Sequence, residues 1–219
     1  MPGKTAILFG STGLIGSYVL TELLKDSRYS RIILFLRKPL PQTAPRVTEV
    51  IMELSEHDDF EKYLFGNEVF ICLGTTIRKA GTREAFRQVD FALPVKISLA
   101  ARINEVSKVL VVSSIGANHK SGNFYLRTKG EMESALQSMG LSFLHIFRPS
   151  MLLGPRKESR TGETIGKFVM NTLGFMFIGP FKKYQAIHAH TVAKAMIRVA
   201  NENHEKLIFE SDEIAKLGQ

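Results

Sequence analysis

The chain has 219 residues, which suits one α/β domain and leaves room for at most two small ones. Its lone cysteine, Cys72, excludes an internal disulfide framework and fits a reducing compartment. The net charge of +8 is scattered over separated pairs (Arg37-Lys38, Arg78-Lys79, Arg156-Lys157, Lys182-Lys183) and forms no basic stripe, so no nucleic-acid partner is expected. The opening MPGKTAILFG has no long apolar core followed by a cleavage site, and no secretory signal is expected. The longest nearly apolar stretch, 173–181, is shorter than the roughly 20 residues a spanning helix requires. A cytoplasmic protein without a transmembrane segment is the expectation.

Residues 6–9 predict a strand that runs into three glycines spaced by three, Gly10, Gly13 and Gly16, and then into a helix that ends near residue 26. Such a turn needs one residue free to take positive φ and another without a Cβ, so that backbone can approach a ligand. The following helix offers unpaired N–H groups and the positive end of its dipole to an anion. Gly10, Ser11, Thr12, Gly13, Leu14, Ile15 and Gly16 are therefore expected to cradle a pyrophosphate, although G-x-x-G-x-x-G is not the standard G-x-G-x-x-G spacing.

The continuous apolar run at 31–36 predicts a strand buried on both faces, as in a parallel sheet. Arg37 and Lys38 follow it, where an acid would bind a ribose 2′-hydroxyl and an arginine a 2′-phosphate, so the expected ligand is NADP(H). A third strand is expected at 47–54 and a short helix at 58–64. A fourth strand at 69–73 ends in Gly74, Thr75 and Thr76, small residues suited, with Leu73, to backbone contact with a cofactor. Cys72 reads as a small packed hydrophobe. The pattern at 83–104 is helical, with a kink or restart expected at Pro94. A fifth strand at 108–112 leads to Ser113 and Ser114, then a helix at 123–139 and a sixth strand at 143–147. The alternation predicts a doubly wound, Rossmann-type parallel sheet with helices on both faces. A loop to 163, a helix at 164–173, a strand at 186–188 and a helix at 191–201 complete the reading. Nothing marks a linker, so 1–219 is expected to be one NAD(P)-binding domain in which 148–219 forms the substrate side.

Tyr125 and Lys129 are four residues apart on a helix and share a face, and no other of the five tyrosines has a lysine at i+4. A free phenol titrates near 10 and carries protons poorly at neutral pH; an adjacent ammonium favours the phenolate. Ser114, at the end of the preceding strand, is placed to hold a substrate oxygen beside that phenol.

The glycine turn, Ser114 and Tyr125-Leu126-Arg127-Thr128-Lys129 resemble the short-chain dehydrogenase/reductase superfamily, of the atypical or extended kind. More particular are Cys72-Leu73-Gly74-Thr75-Thr76, Arg78-Lys79-Ala80-Gly81, Val89-Asp90, Gly130-Glu131 and the run from Phe147-Arg148-Pro149 to Glu158-Ser159-Arg160. These resemble the group that includes the human HIV Tat-interactive protein and its fungal and bacterial relatives, over nearly the whole chain. The resemblance implies NADP(H) as ligand and a Ser-Tyr-Lys catalytic set acting on a carbonyl or alcohol. Tyr125 would pass the proton, Lys129 would also hold the nicotinamide ribose, and Ser114, with Ser113 as second candidate, would position the substrate oxygen. Arg37 would take the 2′-phosphate, Glu53 and Leu54 would lie near the adenine, and Arg148 and Pro149 would line the nicotinamide side. Glu53-Leu54 stands where many relatives have an aspartate. Asp90 stands near where many use an asparagine in the proton relay.

A different class is implied as well: an NADPH-sensing module that binds a protein partner with little turnover, since human relatives are named for a partner. A sugar-nucleotide epimerase would need a larger substrate domain than 148–219 supplies. His188 and His190, expected on one strand face, lack further ligands, and no metal is expected. Arg156, Lys157 and Arg160 read as solvated loop charges with an anionic substrate as the sharper alternative. The 173–181 run reads as core, with a lid or a homodimer contact as alternatives.

Overall fold

The computed structural model describes residues 3–55, 58–155 and 183–219. The helix expected at 164–173, the 173–181 run and Arg156, Lys157 and Arg160 lie outside them. The strands are β1 (Lys4–Phe9), β2 (Tyr29–Leu36), β3 (Val47–Ile51), β4 (Glu68–Ile71), β5 (Lys108–Val112), β6 (Leu144–Arg148), β7 (Leu152–Leu153), β8 (Ile187–His188) and β9 (Ile208–Glu210). The helices are α1 (Leu14–Lys25), α2 (Ile77–Ala80), α3 (Arg83–Arg87), α4 (Leu93–Ile103), α5 (Phe124–Gln137), α6 (Ala189–Asn201) and α7 (Ser211–Leu217). Seven strands form one sheet in the order β3-β2-β1-β4-β5-β6-β9, and every pairing is parallel.

The continuous apolar runs of the central strands β1, β4, β5 and β6 follow from burial on both faces. Ala6, Leu8, Ile32, Leu34, Leu110 and Phe147 face the layer that contains α1 and α6. Their neighbours Ile7, Phe9, Ile33, Phe35, Val69, Ile71, Val109 and Ile146 face the layer that contains α4 and α5. The chain leaves β1 outward to β2 and β3 and returns to β4 on β1's other side, so the strand order reverses at β1/β4. In open α/β sheets ligands bind at such a reversal, outside the C-terminal strand ends.

Several expectations are corrected. The third strand stops at Ile51, and Leu54 takes a positive φ of 58° beyond it. No helix forms at 58–64: Tyr63 and Leu64 N–H both bond the Phe60 carbonyl, and Phe60 and Leu64 plug the core from a single turn. The fourth strand begins at Glu68 and ends at Ile71. The helix expected at 83–104 does change at Pro94, but without a break. Residues Gln88–Ala92 form a π-helical segment in which the Leu93 N–H reaches the Gln88 carbonyl. A wide turn just before Pro94 relieves the crowding its ring would cause in an α-helix. Helix α2 and the closing β9–α7 unit were not expected. Glu210 and Glu213 form a capping box that starts α7 on the strand's last residue.

Candidate functional site

Gly10 follows β1 with φ +82°, and a Cβ there would lie 2.5 Å from the Cys72 carbonyl oxygen. A Cβ on Gly16 would lie 2.0 Å from the Gly10 carbonyl oxygen, so both positions exclude any side chain. Gly13 is the N-cap of α1; no side chain caps it and the first turn holds no acid. The helix therefore keeps free N–H groups and an uncancelled positive end. Ser11 beside it is 3% exposed, and its Oγ has no partner among the described residues. A side-chain-free cradle with an orphaned buried hydroxyl fits the pyrophosphate of a dinucleotide.

Beyond β2, Arg37 and Lys38 stand exposed, with no acid at the strand end. Glu53 is exposed and Leu54 half-buried past the end of β3. Beyond β4, Cys72 N–H bonds the Phe9 carbonyl at 3.0 Å, tying the two loops together at the strand reversal. Burial pushes the Cys72 thiol up to about 12, so it behaves as a packed hydrophobe. Leu73, Thr75 and Thr76 are half-buried and Gly74 is exposed, and the Thr76 side chain caps α2 by accepting from the Lys79 N–H.

Three elements converge after β5. Lys129, on the buried face of α5, places Nζ 2.8 Å from Asp90 Oδ1 in the π segment. It also donates to the Val112 carbonyl at 3.5 Å. Asp90 is 1% exposed and accepts from the Thr75 N–H with its other oxygen at 2.8 Å. Burial works against the Lys129 charge, but Asp90, Tyr125 and Glu133 together hold its proton affinity above that of a free lysine. Tyr125, one turn earlier, rests its ring against Phe86 at 5.9 Å between centroids. Ser113 is buried, with Oγ unpartnered among the described residues, and Ser114 is half-buried with Oγ donating to the Ile115 carbonyl at 3.4 Å. The strand end thus holds two hydroxyls, one of them without a partner among the described residues.

The loop from β5 to α5 lies directly on the helix. Asn118 N–H bonds the Leu126 carbonyl at 3.1 Å, and a Cβ on Gly130 would lie 2.2 Å from the His119 nitrogen. In the sequence Gly130 draws notice only as half of the Gly130-Glu131 pair, yet a glycine inside a helix carries its own signal. It costs about 1 kcal/mol against alanine, so it stands there chiefly where close packing requires it.

Arg148, expected beside the nicotinamide, has its guanidinium engaged elsewhere. Nε and Nη2 grip the two oxygens of Glu133 at 3.0 and 2.5 Å, and Nη1 reaches Glu210 at 3.0 Å. This fork joins α5, β6 and the end of β9. Pro149 is buried and its carbonyl accepts from Ile115 N–H at 3.0 Å, which fixes the serine loop. His188 and His190 do not share a strand: β8 ends at His188, and His190 lies in α6 with Nε2 3.1 Å from Glu22.

The sequence profile described as NAD(P)H-binding matches residues 10–203. Protein HTATIP2 of Rattus norvegicus is 29% identical over all of this chain and 91% of its own length. The Aspergillus niger protein fmp52, mitochondrial, is 33% identical over 87% of this chain and 84% of its own. Among solved structures, the UDP-glucuronic acid 4-epimerase from Bacillus cereus, in complex with UDP-glucuronic acid and NAD, superposes with a TM-score of 0.71. That match covers 94% of this chain and 77% of the epimerase at 13% identity, a likeness of fold. No helix among the described residues is long and apolar enough to cross a membrane.

Proposed function

The chain belongs to the NAD(P)H-binding family, within the atypical short-chain dehydrogenase/reductases, and from that premise we propose that it is an NADP(H)-dependent oxidoreductase acting on a carbonyl/alcohol pair. The observation that carries this reading is that Lys129, one turn from Tyr125 on α5, is held by Asp90 and by the Val112 carbonyl at the end of β5, directly before Ser113 and Ser114. When bound, the dinucleotide would supply or accept the hydride at the substrate carbon. The glycine cradle and Ser11 would hold its pyrophosphate, Arg37 and Lys38 its 2′-phosphate, and Lys129 its ribose. Tyr125 would give a proton to the substrate oxygen in reduction and take it in oxidation. Ser114, the more accessible hydroxyl, would orient the substrate oxygen.

The test is NADPH consumption across a carbonyl panel with Tyr125→Phe beside the parent protein. Turnover should fall about 10³-fold, roughly 4 kcal/mol of barrier, while NADPH affinity by calorimetry stays near the parent's. Undiminished turnover in Tyr125→Phe would falsify the assignment. NADPH binding with no turnover on any member of the panel would favour the second reading, a cofactor-sensing module. The reading places the chain in the cytoplasm, whereas the Aspergillus niger relative carries mitochondria in its name; cell fractionation decides between the two compartments.

A further inference from the structure

We propose that Asp90 is a positioning residue of this site: the counter-ion that keeps Lys129 charged at a buried place, and the strap that ties that lysine to the loop leaving β4. The proposal rests on the reading that Lys129 serves proton transfer and cofactor binding.

The Lys129 side chain is 4% exposed, and a lone ammonium so placed would shed its proton rather than stay desolvated. The groups that face it come from three elements. From β5 it meets only the Val112 carbonyl, at 3.5 Å. From its own helix, Tyr125 and Glu133 add favourable fields. Glu133, however, has both oxygens gripped by Arg148. From the π segment comes Asp90, whose Oδ1 at 2.8 Å is the one carboxylate in direct contact with Lys129 among the described residues.

The other Asp90 oxygen accepts from Thr75 N–H, and a Cβ on Gly74 would lie 3.6 Å from Oδ1, so the carboxylate sits directly under the loop expected to contact the cofactor. One buried carboxylate therefore links the loop after β4 to the helix that carries Tyr125. An asparagine here would keep an acceptor for Thr75 and lose the charge. A leucine would lose both.

The experiment needs no substrate. The Lys129 ammonium is titrated by NMR in cofactor-free parent protein and in Asp90→Asn. The parent should titrate above the ordinary lysine value of 10.5, and Asp90→Asn should fall at least about one pH unit below the parent. A parent midpoint at or below 10.5, measurable even if every variant fails to fold, overturns the counter-ion role; so does an unchanged midpoint in Asp90→Asn. For the strap, NADPH affinity by calorimetry should stay within about threefold of the parent in Asp90→Asn and weaken about tenfold in Asp90→Leu, since only the second leaves the Thr75 N–H without an acceptor. Equal affinity in all three overturns it. Should Asp90→Leu not fold, Lys129→Met and Asp90→Asn, singly and combined, test the same pair: their effects on unfolding free energy must be non-additive, and simple additivity overturns the proposal. None of these readouts is turnover, so the proposal fails or stands apart from the Tyr125→Phe result.

Discussion

The two edges of the sheet bury polar groups in opposite ways. At the N-terminal edge, Lys4 Nζ meets Glu68 Oε1 at 2.6 Å and Asn201 Oδ1 at 2.9 Å, the Tyr29 hydroxyl donates to Glu68, and Asn201 Nδ2 donates to the Tyr29 oxygen at 2.7 Å. Among the described residues this cluster is closed by hydrogen bonds between β1, β2, β4 and α6. At the C-terminal edge the Ser11 and Ser113 hydroxyls are buried with none among the described residues, and the α1 N–H groups are uncapped. Unsatisfied buried groups cost stability, and native chains keep them chiefly where something else will satisfy them. One edge holds the fold together and the other leaves bonds for a ligand to make.

Four substitutions separate the two roles, in decreasing order of expected effect. Glu68→Ala takes the shared carboxylate acceptor from Lys4 and the Tyr29 hydroxyl and should lower unfolding free energy in urea by about 3 kcal/mol, toward the low end for a buried pair because Lys4 can rehydrate. NADPH affinity, measured where the variant is folded, should not move; a parallel loss of binding would erase the contrast. Gly130→Ala forces the 117–119 backbone off α5 and should cost about 2 kcal/mol while also reducing turnover, because the same loop carries Ser114. Full activity in that variant would mean that the serine is positioned by β5 alone. Arg37→Ala should weaken NADPH about tenfold, roughly 1.4 kcal/mol, and leave NADH unchanged. Equal loss for both cofactors would remove the 2′-phosphate assignment.

The smallest effect is a matter of pH. Tyr29→Phe removes a buried hydroxyl bond worth about 1 kcal/mol. Burial, then the Glu68 charge, raises the Tyr29 proton affinity well above that of a free phenol at 10.0. A raised folded value means that this contribution is fully present below pH 10.0 and lost as pH rises beyond it, when the unfolded chain ionises first. The stability gap between parent and variant should therefore be flat through neutral pH and shrink in alkali. A gap that opens in alkali would reverse the sign.

Much of this was legible in the sequence. Parallel strands buried on both faces are unbroken apolar runs, so β1, β2, β5 and β6 could be placed to within two residues at their starts, and the glycine turn and the Tyr125/Lys129 spacing are local patterns. Other features are set by tertiary contacts. Strand β9 is three residues long and exists because β6 offers it an edge and Arg148 reaches Glu210. The turn at Phe60 and Leu64 has helix-like apolar spacing but is pinned by its two core plugs. The Asp90–Lys129 pair joins residues 39 positions apart, on two helical segments that pack side by side on one face of the sheet.

The π segment has a consequence for chain length. A turn that bonds five residues back is an α-turn with one residue too many, so 88–92 can be treated as a one-residue insertion in an otherwise ordinary helix. Removing a single residue there would let the helix run straight and swing whatever precedes the cut by roughly 100° about its axis. The carboxylate would leave Lys129, and the composition of the protein would hardly have changed.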